Sequence, residues 1–152
     1  MSLDWKTDKH KVDPTLAKDL DDLLGYSDFD WAIYRGWASS KVQEELYRRY
    51  LGGGPLASKP GHSAHECEDS EGYPCALAVD VARVDARGQL LWDYESNRAW
   101  PWLWQACKDH SRLHSGHYFP DDTNGRVGRD DDHIQAISWY KYKARLVLAG
   151  RW

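Results

Sequence analysis

Apolar residues recur along this chain with two different periods. Leu16, Leu20, Leu23 and Leu24 fall on one helical face behind Asp13-Pro14, an N-cap followed by proline at the first helical position, and Gly25 closes the run. Trp31 to Gly36 predicts a short strand. Ser40 with Gln43 fits a capping box, and Val42, Leu46 and Tyr50 give the helix behind it an apolar stripe that Gly52-Gly53-Gly54-Pro55 ends. Residues 55–75 read as loop. Ala76 to Val84 is a mostly apolar run that predicts a buried strand, Asp85 to Gly88 a turn, and Gln89 to Tyr94 a returning strand. Trp100, Leu103, Trp104 and Cys107 are spaced for a third helix over 98–110. Residues 115–131 read as polar loop and Asp132 to Ser138 as a short strand. Residues 139–149 fit helix and strand equally.

This order of elements predicts an α+β fold: one small domain over residues 1–152, with a mainly antiparallel sheet flanked by helices. There are no repeats and no linker. The chain is 41% hydrophobic and 29% charged, enough for a core under a solvated surface. No apolar run approaches the roughly 18 residues of a membrane span, so no membrane insertion is expected. Met1 to Lys6 carries no apolar run after its first charges; no Sec-type signal is visible, and cytoplasmic synthesis is expected. A net charge of −4 argues against nucleic acid. Three cysteines are too few for a disulfide scaffold. Nine Trp beside nine Tyr can fill a core or line a groove that stacks on sugars and peptides.

One residue breaks the local pattern. Asp80 stands in the middle of the apolar run 76–84, where a carboxylate is costly unless paired or bound to a metal. It can instead face outward from an edge strand, or pair with Arg83. Two further segments bear on the choice: Ser63-Ala64-His65 at the end of the loop before the strand, and Asp130-Asp131-Asp132-His133 entering the last one. Taken singly, these are an ordinary histidine and a solvated acidic turn. Taken together, His65, Asp80 and His133 form a set of two imidazoles and one carboxylate, which leaves a tetrahedral zinc ion one open position for water. A carboxylate just upstream of His133 could take that water's proton.

At this point the sequence resembles the D-Ala-D-Ala carboxypeptidases and L-alanyl-D-glutamate endopeptidases of the hedgehog/DD-peptidase fold. That family carries Ser-x-His, later Ala-x-Asp, and Asp or Glu three residues before a last His. Ser63-Ala64-His65, Ala78-Val79-Asp80 and Asp130 with His133 match in order, and Gly36 to Gln43 lies in the register of an upstream family motif. The likeness covers about residues 30–138. It implies zinc at His65, Asp80 and His133, Asp130 as general base, Ser63 supporting the site or the substrate, and the peptide stem of peptidoglycan as substrate. An Asp in the base position is more like phage endolysins that cut the L-Ala–D-Glu bond, which reach the wall once a holin opens the membrane. A D-Ala-D-Ala peptidase of the same family is the alternative. From a different class, a non-catalytic wall-binding module could keep the fold. No obligatory protein partner is evident.

Three departures touch substrate preference. Glu66 to Cys75 lengthens the family's gap between His and Asp; Cys67 and Cys75 bracket it, either as a disulfide in an oxidising setting or as free thiols. Ala38 stands where the family often has a substrate-binding Arg, with Arg35 nearby as a substitute. Asp132 replaces a common Trp. His62, His65, Cys67 and Cys75 could form a separate zinc cluster, but their spacing matches no common pattern. No Gly-x-Ser-x-Gly elbow is present, and Cys107 reads as core. Strand alternation alone would put Asp131, not Asp130, on the face of His133.

Overall fold

A computed structural model describes residues 2–55, 57–119 and 129–150. Its elements in chain order are β1 (Ser2–Trp5), α1 (Pro14–Gly25), β2 (Asp30–Arg35), α2 (Ser40–Leu51), β3 (Ala78–Val84), β4 (Leu90–Leu91), α3 (Ala99–Asp109), β5 (Leu113–Ser115), β6 (His133–Ala136) and α4 (Ser138–Leu148). The sheet runs β1-β2-β3-β6-β5, with β4 continuing along β3 beyond β6. Among the described strands, β1 and β2 pair in parallel and the other strand pairings are antiparallel. The fold is α+β, as the pattern implied. No helix among the described residues is long and apolar enough to cross a membrane.

Local signals explain most elements. Asp13 caps α1 by accepting from Leu16 N at 3.0 Å, with Pro14 behind it. Helix α2 is capped by Ser39 rather than Ser40: the Ser39 hydroxyl accepts from Val42 N, and Gln43 turns inward to donate to Ser58 O. The run 139–149, undecided in sequence, is helical in α4. Strands β1 and β5 were not anticipated, since four and three residues leave little room for a period to show. The returning strand over 89–94 shrinks to Leu90–Leu91. Of the loop expected over 115–131, residues 120–128 lie outside the described ones.

The core forms where the two periods meet. Leu16, Leu20 and Leu24 of α1 and Trp100, Leu103 and Cys107 of α3 join Trp31, Ile33, Val79, Val81 and Ile134 of the central strands. Trp31 and Trp100, both fully buried, meet edge to face at 5.3 Å. Alternation turns the other residues of β3, Ala78, Asp80 and Ala82, to the opposite face. Two carboxylates tie the layers together. Asp19 of α1 accepts a two-pronged pair from Arg112 before β5. Asp93, after β4, accepts from Arg83 Nε and Nη2 at 3.0 and 2.7 Å and from the Trp100 indole at 2.9 Å. Arg83 is thus occupied by Asp93, and the pairing of Asp80 with Arg83 is not formed.

The Arg83 hydrogen bonds hold the Asp93 carboxyl at about 2, against partial burial and with help from Trp100. A carboxyl depressed from an ordinary value of about 4 stabilises the fold above that value and loses the contribution as pH falls through the folded value. Asp93→Ala should therefore lower the unfolding free energy by about 1.5–3 kcal/mol at pH 7 in urea titrations. The gap to the wild type should narrow between about pH 4 and pH 2.

Candidate metal centre

Asp80 is 4% exposed and lies on an interior strand, so an outward-facing edge position is excluded. Register sets its neighbours. Asp80 lies opposite His133 on β6 and opposite Arg35 on β2, and antiparallel partners share a face. The β2 register slips by one residue between Ile33 and Arg35. This bulge brings Arg35 across from Asp80 and leaves Tyr34 as the extra residue. Arg35 Nη1 sits 3.1 Å from Asp80 Oδ2.

The other oxygen, Asp80 Oδ1, faces two imidazoles. His65 comes from a 3-10 turn, Ala64–Glu66, whose cap Ser63 accepts from His65 N at 3.2 Å. His65 Nδ1 lies 2.7 Å from the carbonyl of Gly36. A carbonyl only accepts, so the proton is on Nδ1, and Nε2, 3.4 Å from Asp80 Oδ1, carries a lone pair. His133 Nε2 is 2.9 Å from Gln135 Oε1, so its Nδ1 is the nitrogen facing Asp80 Oδ1, at 3.1 Å. One carboxylate oxygen and two nitrogens thus converge within 4.8 Å, and lone pairs aimed at an anion need a cation between them. Two imidazoles and a carboxylate, each imidazole fixed through its other nitrogen, fit a zinc ion. The same demand shows in the proton affinities. Burial opposes charge on His133, yet the Asp80 hydrogen bond and the Asp130 charge push it up to about 9. Burial would raise Asp80, but the two imidazoles hold it well below the usual range.

The three acids ahead of β6 diverge. Asp130 Oδ2 lies 3.8 Å from His133 Nδ1, on the side of the ligands. Asp131 Oδ1 turns away to His117 Nδ1 at 2.7 Å, and the Asp131 carbonyl takes the Trp104 indole. Asp132 accepts from the Tyr34 hydroxyl and shares a hydrogen bond with Asp130. Burial and the charges of Asp80 and Asp130 push Asp132 up to about 8. Burial also raises Asp130. The residues entering β6 are in turn conformation, which is why alternation misplaces Asp131.

The remaining candidates fall as follows. Ala38 is buried, its N–H donating to His65 O at 3.0 Å, and offers no group to substrate. Cys67 and Cys75 are free thiols joined only by the backbone bond from Cys75 N to Cys67 O. Among the described residues, the metal-ligating groups that converge are His65 with Asp80 and His133, and Asp80 with Asp130 and Asp132, so the cluster of His62, His65, Cys67 and Cys75 is not formed. Cys107 is core.

No family model and no curated protein matches the sequence. Solved structures do. The LD-carboxypeptidase LdcB, solved for its peptidoglycan recognition, superposes with a TM-score of 0.58 at 15% identity over 88% of this chain and 62% of its own length. The vancomycin-resistance D,D-pentapeptidase VanY, solved as a mutant with Zn(II), gives 0.56 at 17% identity over 89% and 77%. VanYB with D-Alanine-D-Alanine gives 0.53 at 17% identity over 91% and 78%. The chain shares the fold of these proteins. It spans 62% of the length of LdcB.

Sequence reasoning missed four supporting residues: Tyr34, the Gly36 carbonyl, Gln135 and Gly116. Gln135 was within reach, since it follows His133 by two on one strand face. Gly116 gives no pattern signal, yet a β-carbon there would stand 2.3 Å from Asp130 O and 3.0 Å from the His133 β-carbon. Gly116→Ala should displace both residues and weaken zinc affinity by about 10–100-fold in competition with a chelating dye. Gly25→Ala, which meets nothing within 4 Å, should leave affinity unchanged.

Proposed function

We propose that the protein is a zinc metallopeptidase that cleaves the peptide stem of bacterial peptidoglycan, at the L-Ala–D-Glu bond, in the manner of a phage endolysin acting on the wall after release from the cell. The observation that carries this reading is the convergence of His65 Nε2, Asp80 Oδ1 and His133 Nδ1, with the Asp130 carboxylate 3.8 Å from the last of these. A non-catalytic wall-binding module has no use for that combination.

Held by His65, Asp80 and His133, zinc would supply Lewis acidity and a water whose pKa is lowered to about 7. The chain's own residues do the rest. Asp130 takes the proton of the attacking water and delivers it to the leaving amine. Asp132, anchored by Tyr34, keeps Asp130 in place. Ser63 and the Gly36 carbonyl fix His65, and Gln135 fixes His133. Arg35 is 40% exposed and uses one N–H on Asp80, so its other donors remain for a substrate carbonyl or carboxylate.

The last point supports a second reading. A guanidinium beside the ligands suits a terminal carboxylate, as in a D-Ala-D-Ala carboxypeptidase, and VanYB has been solved with D-Alanine-D-Alanine. Mass spectrometry of digested peptidoglycan separates the two: new D-Glu amino termini support the endopeptidase, release of free D-Ala the carboxypeptidase.

Cleavage should stop in excess EDTA and return with zinc; full activity in metal-free protein would refute the reading. Asp130→Asn should retain zinc and fold but lose about 10²–10⁴-fold in kcat, since an amide cannot accept the proton. Asp131→Asn should cost far less. The reverse order in a peptidoglycan cleavage assay would assign the base to the wrong residue.

A further inference from the structure

Beside the metal centre lies an open cleft of about 600 Å³ that the chemistry above leaves unused, lined by Trp92, Tyr94, Trp104, His117, Asp93 and Asp131 along with exposed Glu95 and Arg129. Clefts of about 300–1,000 Å³ take ligands of drug size, which is also the size of a disaccharide. The cleft is coupled to the site through covalent neighbours and one side chain. Asp131 lies between Asp130 and Asp132. Tyr34 donates to Asp132 and holds the Trp92 ring edge to face at 5.4 Å.

The walls define the ligand. Trp92 is 44% exposed, large for an indole, and its orientation is set by Tyr34. Trp104 is stacked on His117, with ring centres 3.7 Å apart and planes 5° from parallel. Of the two deeper acids, Asp93 is offset by Arg83, and Asp131 is hydrogen-bonded with His117. At the surface Glu95 and Arg129 offset one another in charge. Such a cleft gives an anion no net attraction. It offers aromatic faces for apolar C–H surfaces and carboxylate oxygens whose remaining lone pairs accept from hydroxyl or amide N–H groups. A neutral polyhydroxylated ring carrying an amide combines these features.

We propose that this cleft is a sugar subsite that binds an N-acetylated hexosamine of the glycan strand, with Trp92 as the stacking platform. The proposal rests on the peptidoglycan reading, because the stem peptide hangs from such a sugar. A sugar held here would place the first bonds of the stem, L-Ala–D-Glu among them, near Asp130 and would make glycan-attached stems better substrates than free peptides.

The test is binding of a peptide-free saccharide, which does not require the chain to cleave anything. The full chain is titrated with N,N′-diacetylchitobiose, a neutral disaccharide of N-acetylglucosamine, followed by calorimetry and by the indole N–H resonances. Saturable binding, weakened at least about tenfold in Trp92→Ala and largely kept in Trp92→Phe, is the expected result; tenfold corresponds to about 1.4 kcal/mol. Absence of binding by the wild type at millimolar saccharide would overturn the proposal, as would binding that Trp92→Ala leaves unaltered. A chain that binds the disaccharide in this way yet never cuts peptidoglycan would refute the peptidase reading and leave the sugar subsite standing.

Discussion

A carboxylate buried in the middle of a strand organises this protein. Asp80 has 4% of its surface exposed, on a strand with neighbours on both sides, and an unpaired charge there would cost several kcal/mol. Its surroundings answer that cost. Arg35 neutralises one oxygen across the β2 register, and two imidazoles converge on the other. Each imidazole is locked through its far nitrogen, His65 by the Gly36 carbonyl and His133 by Gln135. The lone pairs left over all point at one place. The Asp80 hydrogen bond and the Asp130 charge push His133 up to about 9 against its burial.

The fold serves this arrangement by dividing the sheet into two faces. One carries Trp31, Ile33, Val79, Val81 and Ile134 into a core shared with α1 and α3. The other presents Arg35, Asp80 and His133 in a row across β2, β3 and β6. The bulge at Tyr34 lets β2 contribute to both, holding Ile33 in the core while bringing Arg35 opposite Asp80. VanY and LdcB share the overall fold at 15–17% identity.

Much of this was legible in the chain itself. Helices α1 and α2 announced themselves through apolar spacing and caps, α3 through apolar spacing alone, and β3 through its apolar run; α4 did not. Asp80 stood out because it violated the pattern of that run, and its partners could be sought among the histidines. What stayed hidden depended on contacts between distant residues. Strands β1 and β5 are too short to show a period and exist because a neighbour pairs with them. The slip at Tyr34 is invisible without the partner strand. Gly116 matters only because Asp130 passes against it, and Asp131 turned out to face His117 because the chain is still turning as it enters β6. Ser39 and Ser40 are adjacent hydroxyls, and only backbone geometry decides which one caps α2.

The central claim is that Asp80 and its two imidazoles form a zinc site. Crystals of the full chain grown with zinc, with diffraction recorded on both sides of the zinc absorption edge, test it directly. One anomalous peak within about 2.0–2.2 Å of His65 Nε2, Asp80 Oδ1 and His133 Nδ1 is the predicted result. No peak there with the ion saturating, or a peak on other residues while His133 keeps its proton against Asp80, would contradict the account.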